Sequence, residues 1–182
     1  MDHNTIKGYE EAKQYNTDLI IVPGIEVSAP EGHIIAMGLQ EEIGRQPSIS
    51  AAVEEIRSRG AIAVAAHPYR FWSGIGEENT LKHDWDAIEG LNGRGWRFRN
   101  IQAQRLAKKM DLPITGGSDS HQPKTVGKSY TITGDVASWE DVIQEIKEKR
   151  TDVGGQHRTF IQTFFYVRRA LSGWVKRGFK KI

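Results

Sequence analysis

The stretch AIAVAAHP, residues 61–68, decides the fold class of this chain. Its six apolar residues precede His67 without an interrupting polar side chain, which is typical of a parallel strand covered on both faces. Gly60 ends a predicted helix that begins after Ser48 or Ser50. The order helix, turn, strand predicts an α/β architecture in which His67 lies at the carboxyl end of a central strand.

Further helices and strands are predicted on both sides of this stretch, and they alternate along most of the chain. Predicted helices are residues 7–16, 99–110 and 138–149, and predicted strands are residues 19–22, 25–29, 33–39, 86–91, 112–116 and 128–133. Such alternation favours a mainly parallel sheet. Active sites in these folds collect at the carboxyl ends of the strands.

The composition limits the chemistry and the location of the protein. The 182 residues and 38% hydrophobic content suit a globular protein with one main domain, and the absence of cysteine excludes disulfides and thiolate zinc sites. Any metal must therefore be held by His, Asp or Glu. No stretch approaches the roughly 20 apolar residues of a membrane span, and the polar start is unlike a signal peptide. We expect a cytoplasmic protein without a membrane span.

Charge divides the chain into two parts. From Arg150 onward there are eight Lys or Arg against Asp152 alone, a net charge of +7, whereas the remainder holds 17 basic and 22 acidic residues, a net charge of −5. We predict a domain at residues 1–150 and a basic tail at residues 151–182.

The tail is predicted to form an amphipathic helix, because its apolar residues are spaced by fours and threes. These residues are Phe160, Phe164, Val167, Leu171 and Trp174. The preferred interpretation is a terminal helix packed on the body. The alternative is a helix that binds a partner, a nucleic acid or a membrane surface.

Four of the six histidines stand beside an acid, or at the edge of an apolar strand next to Gly or Pro. A fifth feature is Glu26, a carboxylate inside an apolar run, which is costly to bury unless it is paired or bound to a cation. Imidazoles and carboxylates bind Zn, Mn or Fe, and such cations polarise phosphate and acidify water. The candidate metal ligands are His3, Glu26, His33, His67, Asp119 and His121.

Five short motifs carry a resemblance to a known family. They are DHNT (2–5), PGIEVS (23–28), GHI (32–34), AHP (66–68) and GSDSH (117–121). Together they resemble, in the family's order, the motifs of the polymerase-and-histidinol-phosphatase (PHP) family, over residues 2 to about 150. The resemblance implies a distorted seven-stranded β/α barrel with a trinuclear metal site. Most small members of the family hydrolyse phosphate esters.

The resemblance also implies roles for the candidate ligands. Glu26, His33 and His67 would form one metal position, and Glu26 would bridge to a second that Asp119 completes. His3 and His121 would serve a third position, and Asp2 would orient His3 or contact the metal. The implied cofactors are two or three divalent ions, Mn, Zn or Fe. A hydroxide on these cations would attack phosphorus, so no protein nucleophile is implied.

One family motif has no counterpart here. Members of the family begin with a strand that carries His-x-His, and no such motif occurs in this sequence. The expected fold is therefore a PHP-type barrel that lacks its first β/α unit and has an open edge. We expect the natural product to be longer, with Met1 an internal methionine.

The predicted substrate contacts lie in loops on the ligand side of the fold. Arg70 and Arg94 follow strand ends, and either could clamp a phosphate through two hydrogen bonds. Trp72 and Trp96 could stack on a base, although local packing is the preferred interpretation. The expected partners are a phosphorylated small molecule, a nucleotide or an oligonucleotide.

Three functions are compatible with these residues. The leading one is metal-dependent hydrolysis of a phosphate ester, with a nucleotide or nucleic-acid phosphate favoured. The alternative is a catalytically impaired module with a vestigial metal site and a partner-binding tail. Hydrolysis of a carbon–nitrogen bond is the third, and it is disfavoured because no lysine stands at an apolar strand end where a carbamylated ligand would be expected.

Overall fold

The computed structural model describes residues 1–15, 18–159 and 163. The strands are β1 (Gly24–Ala29), β2 (Gly32–Met37), β3 (Ile62–Ala65), β4 (Ala87–Asn92), β5 (Ile114–Gly117), β6 (Ser129–Ile132) and β7 (Asp152–Gly155). The helices are α1 (Lys7–Ala12), α2 (Ile49–Ser58), α3 (Glu77–Lys82), α4 (Arg97–Lys109) and α5 (Trp139–Lys147), with a short 3-10 turn at Pro123–Thr125. The α/β class is confirmed.

All seven strands form one sheet, and their order in the sheet is their order along the chain. Only the pairs β3–β4 and β4–β5 are parallel, and the other four pairs are antiparallel. The prediction of a mainly parallel sheet is therefore wrong. Two residues, Pro30 and Glu31, connect β1 to β2, and so short a link permits only an antiparallel hairpin, because parallel pairing needs a long crossover.

The predicted barrel is also wrong, since the mixed sheet is open. Closure would require β7 to pair with β1, and these strands lie at opposite ends of the strand order. The remaining side of β1 is instead contacted by the N-terminal segment, through a parallel bridge between His3 and Glu26. The predicted open edge is thus partly covered.

Helices cover both faces of the centre of the sheet. On one face, Ile25, Val27, Ala63, Ala65 and Ile88 pack with Ala52 and Ile56 of α2 and with Ala103 and Leu106 of α4. On the other face, Ile62, Val64 and Ala87 pack with Ile143 and Ile146 of α5. Every residue of β3 is buried, which confirms that the 61–66 stretch forms a strand covered on both sides.

Two helices begin at serine caps, as their sequences favour. The Ser48 hydroxyl accepts a hydrogen bond from the Ala51 amide at 3.2 Å. At α5, the side chain of Ser138 accepts from the Asp141 amide, and the Asp141 carboxylate accepts from the Ser138 amide. These caps satisfy amide groups that would otherwise lack partners in the first turn.

The predicted strand at residues 19–22 is wrong. No regular secondary structure forms at residues 20–23, and the side chains of Leu19 and Ile20 are 77% and 39% exposed. The apolar run misleads because it does not join the sheet, whose first strand starts at Gly24, and Leu19 and Ile20 are left exposed. Only Val22 reaches the core, against the α5 cluster.

The chain beyond residue 150 continues the sheet, since β7 pairs with β6 along its whole length. The boundary at residue 150 stays a prediction. The predicted amphipathic helix, with Phe160, Phe164, Val167, Leu171 and Trp174, lies outside the described residues. Among the helices that the structure describes, none has the length and apolar character needed to cross a membrane.

Candidate active site

The predicted site residues gather at one edge of the sheet. Strands β1, β3, β4 and β5 run in the same direction and β2 runs against them, so four carboxyl ends and one amino end meet there. Side chains two residues apart on a strand share a face. Glu89 therefore lies on the same face as Ala87, and His33 on the same face as Ile35, above the cluster that α5 covers.

Residues 2–4 attach to β1 and bring His3 into the site. The Glu26 amide donates to the Asp2 carbonyl at 2.9 Å, and the Asn4 amide donates to the Glu26 carbonyl at 3.0 Å. The Asn4 side chain reinforces this pairing, because it accepts from the Ser28 amide at 2.8 Å and donates to the Ser28 hydroxyl at 3.0 Å. The Asp2 carboxylate lies against Gly8 of α1.

Three imidazoles surround the Glu26 carboxylate. Its Oε1 lies 2.7 Å from His33 Nδ1 and 3.3 Å from His67 Nε2, and its Oε2 lies 3.7 Å from His3 Nε2. The rings of His3 and His33 have centroids 4.8 Å apart, and those of His33 and His67 have centroids 5.5 Å apart. We call these four residues the cation cluster.

The cation cluster fits a divalent cation. One ligand atom each from His3, Glu26 and His33 lies within 4.8 Å of the other two, and these donor types suit Zn, Mn or Fe. The Nδ1 atoms of His33 and His67 are buried without a well-directed hydrogen bond, an arrangement that costs free energy unless a ligand compensates. His67 also adopts a positive φ of 29°, a strained conformation that concentrates at functional sites.

The surroundings of Glu26 favour the ionised form of its carboxyl group and lower its pKa. Burial opposes ionisation, but the close imidazoles of His33 and His67 outweigh it, and they hold the pKa of Glu26 well below its ordinary value. A carboxylate whose charged form is favoured meets a requirement for a cation ligand, because such ligands bind in the deprotonated state.

A second group of side chains consists of Asp119, Arg70, Arg94 and His121. We call it the anion cluster, because its two arginines suit an anionic ligand. Asp119 Oδ2 lies 2.7 Å from Arg70 Nη1, and Asp119 Oδ1 lies 3.3 Å from Arg94 Nη1. Arg94 Nη1 also lies 2.9 Å from Nδ1 of His121, whose ring is 3.6 Å from Asp119 Oδ1. Asp119 and His121 thus lie together, as their spacing predicts, with both predicted arginines beside them.

Glu89 joins the two clusters, and the sequence interpretation did not single it out. Its Oε2 accepts from the His67 amide at 2.7 Å, and its Oε1 accepts from Asn92 Nδ2 at 3.1 Å. Asn92 Nδ2 also lies 3.3 Å from Asp119 Oδ2. A carboxylate inside the apolar strand β4 is the same signal that identified Glu26, and it would have identified Glu89.

Burial raises the pKa of Glu89 to about 7. The nearby Asp119 carboxylate raises it too, while His67 and the hydrogen bond from Asn92 oppose the shift. The pKa values of Glu26 and Glu89 are therefore shifted in opposite directions, although both lie on the same face of the sheet.

An open cleft of about 740 Å³ contains most of the predicted ligands. Asp2, His3, Glu26, His67, Asp119 and His121 line it, together with Glu89 and Asn92. Arg70 and Arg94 line a second cavity, which shares His67, Glu89 and Asn92 with the first. Which residues bind which cation stays a prediction.

Comparison with known proteins identifies a matching family model and similar folds. Residues 97–151 match the PHP-associated family. An uncharacterised protein of Methanocaldococcus jannaschii is 31% identical over 113 residues, which cover 60% of this chain and 66% of that protein. The chain thus spans just under two thirds of that relative's length.

Two solved structures share the fold. A two-domain protein from Bacteroides vulgatus, described as containing a predicted PHP-like metal-dependent phosphoesterase, aligns with a TM-score of 0.62 at 18% identity, covering 85% of this chain and 54% of that one. PsfC from Pseudomonas syringae aligns with a TM-score of 0.56 at 18% identity, and the alignment covers 82% of this chain and 64% of PsfC. The resemblance to PHP proteins that the motifs indicate is confirmed for the associated region and for the fold.

Proposed function

We propose that this chain hydrolyses phosphate esters with the help of two or three divalent cations, and that its substrate is a nucleotide or a nucleic-acid phosphate. One observation carries the proposal. A cluster suited to a cation and a cluster suited to a phosphate anion are joined through Glu89 and Asn92 at one edge of the sheet. A phosphoesterase needs both kinds of group within reach of one phosphate.

His3, Glu26, His33 and His67 would hold the first cation, and Asp119 and His121 would contribute to the others. When bound, such a cation withdraws electron density from phosphate oxygens and acidifies water. Glu26 supplies the negative charge, because its pKa lies well below the ordinary value. The backbone around His67 is fixed by the hydrogen bond from its amide to Glu89, so its imidazole is held towards Glu26.

Arg70 and Arg94 would bind the phosphate. A guanidinium group matches phosphate oxygens through two parallel hydrogen bonds, and it stays charged at any physiological pH. In this structure the Asp119 carboxylate orients both guanidinium groups, because it pairs with Nη1 of each arginine. An incoming phosphate would share or replace these contacts, since it presents the same kind of oxygen acceptor.

The first prediction tests this proposal by replacing Glu26. In Glu26→Ala the imidazoles lose their common carboxylate, so we expect metal content to fall below one ion per chain and phosphate release to drop by about 100-fold or more. Elemental analysis of the purified protein measures the metals. Phosphate release from a nucleotide panel, with and without added Mn, measures the activity.

The matched control is His83→Ala. His83 lies away from the cation cluster and contacts the Asn79 carbonyl and the Ser50 hydroxyl, so its loss should leave metal content and turnover unchanged. Normal hydrolysis by Glu26→Ala would refute the proposal. Metal binding by the wild-type chain without any phosphate release would favour the catalytically impaired module.

A further inference from the structure

The cavity beside the anion cluster is separate from the cleft that holds the cation ligands. Its volume is about 460 Å³, within the range of pockets that enclose small organic ligands. It adjoins the cleft that holds the cation ligands at His67, Glu89 and Asn92, which line both spaces. A phosphate bound between the clusters would therefore have its organic part directed either into the open cleft or into this cavity.

The cavity lining is positively charged. Its described lining includes four arginines, Arg70, Arg94, Arg99 and Arg158, against one acid, Glu89. Positive walls of this kind favour a ligand that carries the negative charge of a phosphate ester.

The cavity is also rich in aromatic side chains, several of which are exposed. Trp72 and Phe71 are 90% and 78% exposed, although both line the cavity, and Phe98 is 55% exposed. Phe71 and Trp72 contact each other edge to face, with ring centroids 4.7 Å apart. Large aromatic rings left in water beside a pocket offer faces on which a planar ligand can stack, and such stacking releases water from apolar surface.

The local backbone holds this aromatic pair close to the phosphate contacts. Arg70 immediately precedes Phe71 and Trp72, and the loop closes on itself because the Gly74 amide donates to the Arg70 carbonyl and the Gly76 amide to the Pro68 carbonyl. One short loop thus carries a phosphate-binding guanidinium and two stacking surfaces.

From this arrangement we propose that the cavity binds the leaving group of the substrate, and that Phe71 and Trp72 select a leaving group with a planar aromatic ring system of nucleobase size. The inference rests on the proposed phosphoesterase function. It adds the site that distinguishes one phosphate ester from another. It also replaces the preferred interpretation of Trp72 as a residue that packs locally, since its side chain is almost fully exposed.

The second prediction compares two esters that differ only in the aromatic ring. Adenosine 5′-monophosphate and ribose 5-phosphate carry the same phosphate on the same sugar carbon. With a chelator present, which prevents hydrolysis, calorimetry should show that the nucleotide binds at least about fivefold more tightly, as expected for one stacked base. Trp72→Ala should remove most of this preference and leave the affinity for ribose 5-phosphate unchanged.

Tyr15→Ala is the matched control, because Tyr15 is another highly exposed aromatic residue, at 75%, and it does not line the cavity. Equal affinities of the wild-type protein for the two esters, or an unchanged preference in Trp72→Ala, would overturn the inference. With Mn added, the KM values for hydrolysis of the two esters distinguish the leaving-group site from the phosphoesterase function itself. Hydrolysis of both esters without preference would leave only the phosphoesterase function standing, whereas Trp72-dependent nucleotide binding without hydrolysis would leave only the binding site.

Discussion

Glu26 and Glu89 are two carboxylates on one face of the sheet whose surroundings shift their pKa values in opposite directions. Imidazoles surround Glu26 and favour its charged form, whereas Glu89 is almost fully buried and lies near the Asp119 carboxylate. The stability of the metal-free protein should therefore respond to pH in two separate windows.

The sign of each effect follows from where the proton is held more tightly. The folded pKa of Glu89, about 7, exceeds its ordinary value of 4.5, so between these values the folded state binds more protons and the free energy of unfolding falls as pH rises. The pKa of Glu26 is lowered, so below pH 4.5 the folded state binds fewer protons than the unfolded state. In that range the free energy of unfolding falls as pH falls.

The third prediction isolates Glu89. Glu89→Gln cannot ionise, so between pH 5 and 7 its unfolding free energy should lose the downward slope, which for a single proton is at most about 1.4 kcal/mol per pH unit. Urea unfolding in the presence of a chelator measures the slope. Glu78→Gln is the control, because Glu78 is exposed and paired with Lys82. A slope in Glu89→Gln that equals the wild-type slope would contradict this account.

At the scale of elements, the loop from Pro68 to Gly76 leaves no room for a side chain at Gly74. A Cβ atom on Gly74 would lie 2.5 Å from the Arg70 carbonyl oxygen and 2.6 Å from the Arg70 amide nitrogen. Real Cβ atoms do not approach backbone so closely, so any other residue would force this loop open.

The fourth prediction is that Gly74→Ala displaces Arg70 and weakens phosphate binding. We expect KM for a phosphate ester to rise about tenfold or more, because small misplacements of a positioning group are costly. The melting temperature should fall as well, since Pro68 and Ile75 of this loop are buried, so KM is measured well below it. Gly44→Ala is the control, as a Cβ there would meet nothing within 4 Å. An unchanged KM in Gly74→Ala would show that Arg70 does not depend on this turn.

The sequence predicts elements best where local pattern and burial agree. The 61–66 stretch formed the expected strand because both of its faces are covered, and the helix of residues 97–109 matches its predicted bounds closely. The equally apolar run at 19–22 failed, since whether a run is covered depends on residues distant in sequence. The strand β7, with two glycines among its four residues, carries too little apolar pattern to be predicted.

At the scale of the whole molecule, sheet closure was the feature that the sequence could not supply, whereas the direction of β2 was open to prediction from its short link to β1. Alternation of helix and strand favours parallel pairing, yet the two-residue link between β1 and β2 imposes a hairpin at the start of the sheet. The spatial grouping of the predicted site residues was nonetheless predictable, and their roles stay a prediction. The motifs name the candidate residues, and the ends of β1 to β5 bring them to one edge in either architecture.

The fifth prediction concerns the stability of the whole chain. A ligand that binds only the folded state stabilises it by about 2.7 kcal/mol at a concentration 100 times its Kd. For a chain of this size, Mn or Zn should therefore raise the melting temperature by roughly 5 to 10 °C, and a chelator should reverse the rise. Differential scanning fluorimetry measures the shift. His33→Ala should abolish most of it, and a full shift in that variant would place the cation elsewhere.

The agreement between strand order and chain order also bears on how the protein forms during synthesis. No strand has to insert between two that are already paired. Each newly synthesised strand can therefore pair with the exposed edge of the strand before it. The imidazoles around Glu26 come from residues 3 to 67, whereas the partners of Asp119 require the chain up to residue 121. Under the proposed function, the ligands of the first cation are therefore synthesised before the phosphate-binding cluster is complete.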